Sequence, residues 1–154
     1  MANFILNHRE LSLYAPLRQQ VKEIDKNIRE AEAELAELNK YNVNISPVYT
    51  GMPNGNEKRD KIADFLIKLE ADRVRLTNIL EALKAERVAL AYDLHRIKKA
   101  VNKIPDERLR EIVKLHYYDG QSIISIAGKF YMSEYGVYKK LDKLLGARRR
   151  RHSK

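Results

Sequence analysis

The residues whose types could do chemistry lie near the C-terminus, where basic side chains are concentrated. Residues 102–154 hold 13 of the 30 Lys and Arg residues but only 6 of the 21 Asp and Glu residues, so they carry +7 of the net charge of +9. Lysine and arginine side chains neutralise and donate hydrogen bonds to phosphate. This local excess indicates a polyanionic partner for the C-terminal part of the chain. A basic tail that only aids solubility is the alternative.

Residue types for catalysis and metal binding are poorly represented. The chain has no cysteine, and its four histidines (His8, His95, His116 and His152) lack carboxylate or histidine neighbours at ligand spacing. His116 is predicted to be a partly buried packing residue. The sequence contains no phosphate-binding glycine loop and no metalloprotease or hydrolase motif. We therefore expect a protein that is not an enzyme and has no metal site and no cofactor.

The composition favours a helical protein. The 154 residues are 44% hydrophobic and 33% charged, with only 6 glycines and 4 prolines. That balance is too apolar for a disordered chain and too poor in breakers for a β-sandwich or barrel. No apolar run is long enough for a membrane-spanning helix, and the N-terminal residues lack the charged lead and cleavage site of a signal peptide. We expect a cytoplasmic protein that does not bind membranes.

Two heptad patterns predict long helices that pair as an antiparallel, coiled-coil-like hairpin within residues 1–101. In both patterns apolar residues alternate at spacings of four and three, which places them along one side of a supercoiling helix. The first pattern follows Pro16, which suits a first helical turn, and contains Leu17, Val21, Ile24, Ile28, Ala31, Leu35 and Leu38. The second lies in a helix predicted from about Glu57 to Val101 and contains Ile62, Leu66, Leu69, Arg73, Leu76, Leu80, Leu83, Arg87, Leu90, Leu94, Ile97 and Val101.

The two arginines in the second pattern have two interpretations. Arg73 and Arg87 either specify the register or the partner at some cost in stability, or they extend their stems along the seam and keep their guanidinium groups in water. We favour the second interpretation.

The second helix is predicted to be about twice as long as the first, so its C-terminal half needs a further partner. That half runs from roughly Leu83 to Val101. A second copy of the chain could cover part of it, so we expect a homodimer or a small homo-oligomer. The N-terminal apolar residues that could cover the rest are Phe4, Ile5, Leu6, Leu11, Leu13 and Tyr14.

The connector between the long helices, residues 42–59, is rich in proline and glycine. Its central part reads Ser-Pro-Val-Tyr-Thr-Gly-Met-Pro-Asn-Gly from Ser46 to Gly55. Long structured loops in compact proteins are often functional. The candidate partner-binding residues are therefore Tyr49, Gly51, Met52 and Pro53. The slightly favoured alternative is an ordered loop that packs on the tip of its own hairpin.

Three short helices are predicted between residues 102 and 147. The first opens at the Ile-Pro-Asp-Glu segment 104–107 and ends at Gly120, which can take a positive φ. Ser122 and Ser133 are predicted to cap the second and third helices, which are separated by a tight turn at Tyr131-Met132. The predicted inward residues are Leu109, Ile112, Val113, Leu115, His116 or Tyr117, Ile123, Ile126, Ala127, Phe130, Val137, Leu141, Leu144 and Leu145.

This order of two short helices, a tight turn and a capped final helix, with the small Ala127 at the packing point, indicates a helix-turn-helix domain. The first residues of its final helix would meet base edges, while its lysines and the basic tail at residues 148–154 would neutralise phosphate. The predicted outward face contains Glu134, Tyr135, Tyr138, Lys139, Asp142 and Lys143. The candidate DNA-binding residues are Ser122, Ser133, Glu134, Tyr135, Tyr138, Lys139, Lys140, Lys143, Arg148, Arg149, Arg150 and Arg151.

At these residues the sequence resembles region four of bacterial sigma factors and the regulators that share its fold. The resemblance is carried by the segment 115–122, by Ile126-Ala127, by the turn segment 130–133 and by Val137. The sequence departs from the family pattern at Tyr131, where glycine or asparagine is usual. A tyrosine forced to positive φ is strained, which would change the shape of the turn and the angle of the recognition helix.

The connector and the helix-turn-helix together are similar to the ArpU and RinA late-gene transcriptional regulators of phages from Gram-positive hosts. The similarity covers roughly residues 17–146, and the loop from Ser46 to Gly55 is its more specific part. The resemblance implies phage origin, a place in the cytoplasm of a bacterial host, and control of transcription through DNA binding. It implies no role for the loop.

We therefore expect a sequence-specific DNA-binding transcriptional regulator, an activator of late genes by resemblance. Its expected partner is double-stranded DNA, and RNA polymerase is a second candidate that the hairpin would contact. A phage small terminase subunit is one alternative, because it would also combine a helix-turn-helix with a helical oligomerisation region. An inhibitor that captures a host sigma factor or RNA polymerase is another.

Overall fold

The computed structural model of the chain describes residues 6–44 and 56–146. Throughout these ranges the protein is helical and contains no strand, which confirms the predicted all-α class. None of the helices described there is both long enough and apolar enough to cross a membrane. The helices are α1 (His8–Ser12), α2 (Tyr14–Asn44), α3 (Asn56–Asn102), α4 (Glu107–Val113), α5 (Ile123–Lys129) and α6 (Glu134–Leu145), and a π-helical turn (Lys114–Tyr118) continues α4.

The helices α2 and α3 are the two long helices that the heptad patterns predict. Pro16 lies in the first turn of α2, and α3 extends one residue beyond its predicted bounds at each end. The helix α2 has 31 residues and α3 has 47, so α2 is about two thirds as long as α3 and not half as long, as predicted. It is longer because it continues past the last residue of its heptad pattern, Leu38, to Asn44.

The described residues divide into two compact units. The first unit consists of the residues within Met1–Val21 and Ala89–Lys154, and the second of those within Lys22–Val88. Both long helices are therefore shared between the units. The predicted boundary after residue 101 falls inside the first unit, because Ile97 and Val101 are buried in the same cluster as the short C-terminal helices.

One hydrophobic core holds the first unit together. It combines residues from α1, the first turn of α2, the end of α3 and all the C-terminal helices. Burial of these apolar side chains provides most of the stabilisation of the unit. The buried members are Leu11, Tyr14, Ile97, Val101, Ile104, Ile112, Val113, Tyr117, Ile123, Ile126, Ala127, Val137, Leu141 and Leu145.

The N-terminal segment covers the end of α3, as predicted, but it also packs against the C-terminal helices. Leu11 is fully buried, Tyr14 is 4% exposed, and Leu6 packs against the same cluster. Leu13 was expected to join them, but its side chain is 45% exposed. The chain ends α1 and begins α2 at this point, so Leu11 and Tyr14 face the core and Leu13 does not. Phe4 and Ile5 lie outside the described residues.

In the second unit α2 and α3 run antiparallel, as predicted. Asp25 of α2 pairs with Arg87 of α3. Glu32, later in α2, pairs at 3.5 Å with Lys84, which lies earlier in α3 than Arg87. The buried seam residues of this unit are Ile24, Ala31, Leu69, Leu76 and Leu80. At the N-terminal end of the α3 pattern, Ile62 and Leu66 are 56% and 39% exposed, so the seam is not closed there by described residues.

The two seam arginines behave differently. Arg87 donates a hydrogen bond to Asp25 across the hairpin, and this bond, together with the charge of Asp25, raises the pKa of Arg87 above its usual value. Arg73 is only 16% exposed, and its Nη1 reaches Glu70 of its own helix at 3.3 Å. Its Nε and Nη2 are buried without a hydrogen-bond partner among the described residues. The interpretation that both guanidinium groups stay in water is therefore wrong for Arg73.

Candidate nucleic-acid interface

The candidate interface is built on α4, α5 and α6, which belong to the first unit. Helix α4 begins at Asp106, whose side chain accepts hydrogen bonds from the backbone N–H groups of Arg108 and Leu109. Asp106 thereby satisfies donors that a helix N-terminus leaves free. Pro105 was predicted to open this helix, and it lies immediately before the cap.

The helix α4 continues as a wider π-helical turn, which the sequence pattern did not indicate. The turn runs from Lys114 to Tyr118. Gly120, two residues after it, has the positive φ predicted for it, 69°. Of the two residues that could face inward, Tyr117 is buried at 9% exposure. His116 is half-buried, and its Nδ1 lies 2.9 Å from the carbonyl oxygen of Gln121. The position of Gln121 before α5 is therefore tied to the π turn.

Helix α5 is short and packs through its predicted inward face. The Ser122 hydroxyl accepts a hydrogen bond from the Ser125 N–H, which confirms it as the N-cap. Ile126 is fully buried, while Ile123 and Ala127 are 7% and 5% exposed. Ile124, on the opposite side, is 68% exposed.

The turn between α5 and α6 has the geometry of a Schellman motif. The Met132 N–H donates to the Ala127 carbonyl at 2.9 Å, across a residue with positive φ, as this motif requires. That residue is Tyr131, with φ 55°, the only non-glycine residue with positive φ in the described part of the chain. The strain predicted from its position in the sequence is thus present.

The turn is also held from α4. The Arg108 guanidinium donates a hydrogen bond to the Phe130 carbonyl oxygen, and its Cζ lies 5.6 Å from the centre of the Phe130 ring. Phe130 and Met132 pack against the core on either side of Tyr131. The path of the backbone through the turn is therefore set by contacts that do not involve the Tyr131 side chain.

Helix α6 is capped and oriented as predicted. The Ser133 hydroxyl accepts a hydrogen bond from the Gly136 N–H at 3.0 Å. A Cβ atom at Gly136 would lie 3.1 Å from the Ser133 hydroxyl oxygen, so the absence of a side chain at Gly136 lets the cap close tightly. Val137, Leu141 and Leu145 are buried against the rest of the core.

The opposite face of α6 presents an exposed surface, which we call the α6 face and define as Glu134, Tyr135, Tyr138, Lys139 and Lys143. Tyr135 is 74% and Tyr138 is 41% exposed, and the other three residues are exposed as well. Lys140, another predicted DNA-binding residue, is half-buried at the edge of this face. Two aromatic rings with hydroxyl groups and two ammonium groups on one helix face can contact base edges and phosphates together.

Asp142 was predicted to be an outward residue of this face, but in the structure it contacts another helix. Its Oδ1 lies 3.3 Å from His8 Nε2, and its side chain is 42% exposed. His8 belongs to α1, so the N-terminal segment contacts α6 at this point. Sequence reasoning could not have found this contact, because His8 and Asp142 lie at opposite ends of the chain and neither belongs to a motif.

Other predicted site residues have separate positions. Ser122 and Ser133 are exposed, but their hydroxyls cap α5 and α6. The predicted basic-tail residues Arg148, Arg149, Arg150 and Arg151 lie outside the described residues. The same holds for the predicted loop residues Tyr49, Gly51, Met52 and Pro53.

In the described ranges, no group of three or more His, Cys, Asp and Glu residues is arranged to hold a metal ion.

Comparisons with other proteins do not place the chain in a family. No protein-family model matches the chain, and the searches of curated proteins and of solved structures also give no match.

Proposed function

We propose that the protein is a sequence-specific DNA-binding transcriptional regulator whose helix α6 enters the major groove. The observation that carries the proposal is the α6 face: exposed tyrosines and lysines on a helix whose N-terminus, turn and buried side are all held by defined contacts. A helix held in this way can present its first residues to base edges, while its lysines meet the flanking phosphates. The excess of +7 in residues 102–154 supports a polyanionic partner.

The regulator would act as a homodimer through α3. In the second unit, Ile67, Val74 and Val88 are spaced by multiples of seven, so they share one face of α3, and they are 68%, 52% and 67% exposed. Glu81, at the heptad position between Val74 and Val88, interrupts this apolar row. An apolar row at heptad spacing that no described residue covers fits pairing with a second copy of the chain. Dimeric helix-turn-helix proteins bind paired half-sites at fixed spacing, which would give this pairing a function.

The resemblance to phage late-gene regulators extends the proposal. On this basis the protein is an activator of late genes that acts in the cytoplasm of a bacterial host, and RNA polymerase is its second partner. A hairpin with exposed apolar and charged residues is a suitable surface for such a partner.

The proposal is tested by selecting bound duplexes from a random DNA library at near-physiological salt with excess competitor DNA. We expect an enriched motif with repeated half-sites at fixed spacing. The variant Lys139→Glu with Lys143→Glu should lose binding. The matched control, Lys61→Glu with Lys68→Glu, makes the same change of charge at two exposed residues of α3 in the second unit and should retain it.

Other outcomes would favour the alternatives. Binding without a motif, together with a large ring of subunits in solution, would favour a terminase-like packaging protein. Full regulatory activity of the Lys139→Glu, Lys143→Glu variant would favour an inhibitor that captures a host sigma factor or RNA polymerase.

A further inference from the structure

Tyr131 combines a strained backbone, an exposed side chain and a position just before α6. Its φ of 55° lies in the left-handed region, which is strained for a side chain other than glycine. Its side chain is 97% exposed, so the ring contributes almost nothing to the packing of the domain. It stands in the turn that leads directly into α6, with Tyr135 four residues further on.

The strain at Tyr131 is imposed by its neighbours. The Met132 N–H bonds back to Ala127, Arg108 holds the Phe130 carbonyl, and Phe130 and Met132 pack against the core. These contacts would hold the same turn equally well with glycine at position 131, and glycine would adopt this φ without strain. The tyrosine side chain therefore makes no packing contribution to the stability of the folded chain.

Strained residues that are held by their surroundings are concentrated at functional sites. We infer that Tyr131 is a DNA-positioning residue, whose phenol hydroxyl donates a hydrogen bond to a phosphate oxygen at the rim of the major groove. The inference rests on the proposed function. The first residues of α6 would reach base edges, so the turn just before them would lie beside the sugar–phosphate backbone, where tyrosine is a frequent hydrogen-bond donor.

This assignment predicts that stability and binding change in opposite directions. Tyr131→Gly removes the strain and should raise the melting temperature by about 2–4 °C in a chain of this size. The same substitution removes the hydroxyl and should weaken binding to duplex DNA roughly tenfold. Tyr131→Phe keeps the ring and the strain, so it should melt like the native chain yet lose most of the same affinity.

The experiment measures melting temperature and affinity for two duplexes of equal length, one that the protein selects from a random library and one with shuffled sequence. A phosphate contact carries no sequence information, so both affinities should fall by the same factor. Tyr41→Ala, at a 55% exposed tyrosine of α2, is the control and should leave both affinities unchanged.

Each result has a distinct meaning. If the native chain binds DNA and Tyr131→Gly binds equally well, the role of Tyr131 is refuted while the proposed function stands. A loss confined to the selected duplex would refute the phosphate contact and make Tyr131 a base-reading residue. If the native chain binds neither duplex, both proposals fail.

Discussion

His8 and Tyr117 are joined by a contact of 2.5 Å between His8 Nδ1 and the Tyr117 hydroxyl, although 109 residues separate them in the chain. The other ring nitrogen of His8 faces Asp142 at 3.3 Å, without hydrogen-bond geometry. A single imidazole therefore connects α1 with the π turn and with α6. The N-terminal helix is an integral part of the first unit.

Replacement of His8 by alanine should destabilise this unit. The change removes the contact between the imidazole and the hydroxyl of the buried Tyr117, at an expected cost of about 1 kcal/mol in the free energy of unfolding. Urea unfolding followed by circular dichroism measures the loss. His95→Ala, at an exposed histidine of α3, should change the unfolding free energy very little. Equal effects of the two substitutions would contradict the role of His8.

Replacement by leucine should stabilise the hairpin at Arg73 but not at Arg87. Arg73→Leu removes a buried guanidinium group with two unpaired nitrogens and completes the apolar seam, so it should raise the free energy of unfolding by about 1–2 kcal/mol. Arg87→Leu breaks the ion pair with Asp25 and should not stabilise the hairpin. Thermal unfolding of both variants beside the native chain is the measurement. A loss of stability in Arg73→Leu would contradict the energetic cost assigned to its buried guanidinium group.

The stability should fall in alkaline solution because of Tyr118. Burial, with a smaller contribution from Tyr14, raises the pKa of Tyr118 from 10.0 to about 12. The phenol ionises at lower pH in the unfolded chain, so its contribution to stability is complete below pH 10 and is lost as the pH rises to about 12.

The variant Tyr118→Phe tests this dependence. The Tyr118 hydroxyl oxygen is buried without a hydrogen-bond partner among the described residues, and its ring stacks on Tyr14 at 3.7 Å between centroids. Phenylalanine keeps the stack, so we expect nearly native stability at neutral pH and a weaker decline between pH 10 and 12. Identical pH profiles of the two proteins would exclude Tyr118 as the cause.

Tyrosines of the α6 face should contribute to sequence preference. Tyr135→Ala or Tyr138→Ala should cost about 1–3 kcal/mol on a selected duplex and less on a shuffled one, if these side chains meet base edges. Titration of labelled duplexes gives both affinities, with Tyr41→Ala as the control. An equal loss on both duplexes would assign these tyrosines to phosphate contacts instead.

Deletion of residues 148–154 should weaken DNA binding uniformly. The segment holds four arginines and one lysine, so its removal should also flatten the dependence of affinity on salt concentration. Affinities measured at several salt concentrations give the slope for the native and the shortened chain. An unchanged slope would mean that the tail does not neutralise phosphate.

The helices, their caps and most of their buried faces could be predicted from sequence because these features depend on local spacing. Heptad patterns predicted α2 and α3, and the serine positions predicted the caps of α5 and α6. The positive φ of Gly120 and the strained Tyr131 followed from the turn pattern in the same way. Each of these features is determined within about one turn of the residue concerned.

The contacts between distant segments were decided by the tertiary structure. Three such contacts leave no periodic trace in the sequence: His8 beside Tyr117 and Asp142, the end of α3 inside the core of the first unit, and Arg108 on the Phe130 carbonyl. The widening of α4 into a π turn and the burial of Arg73 depend on how neighbouring helices pack. The sequence determined which helices form and which faces are apolar, because backbone geometry repeats along the chain. Only the fold decided which of those faces meet, since that depends on shape and packing across the whole unit.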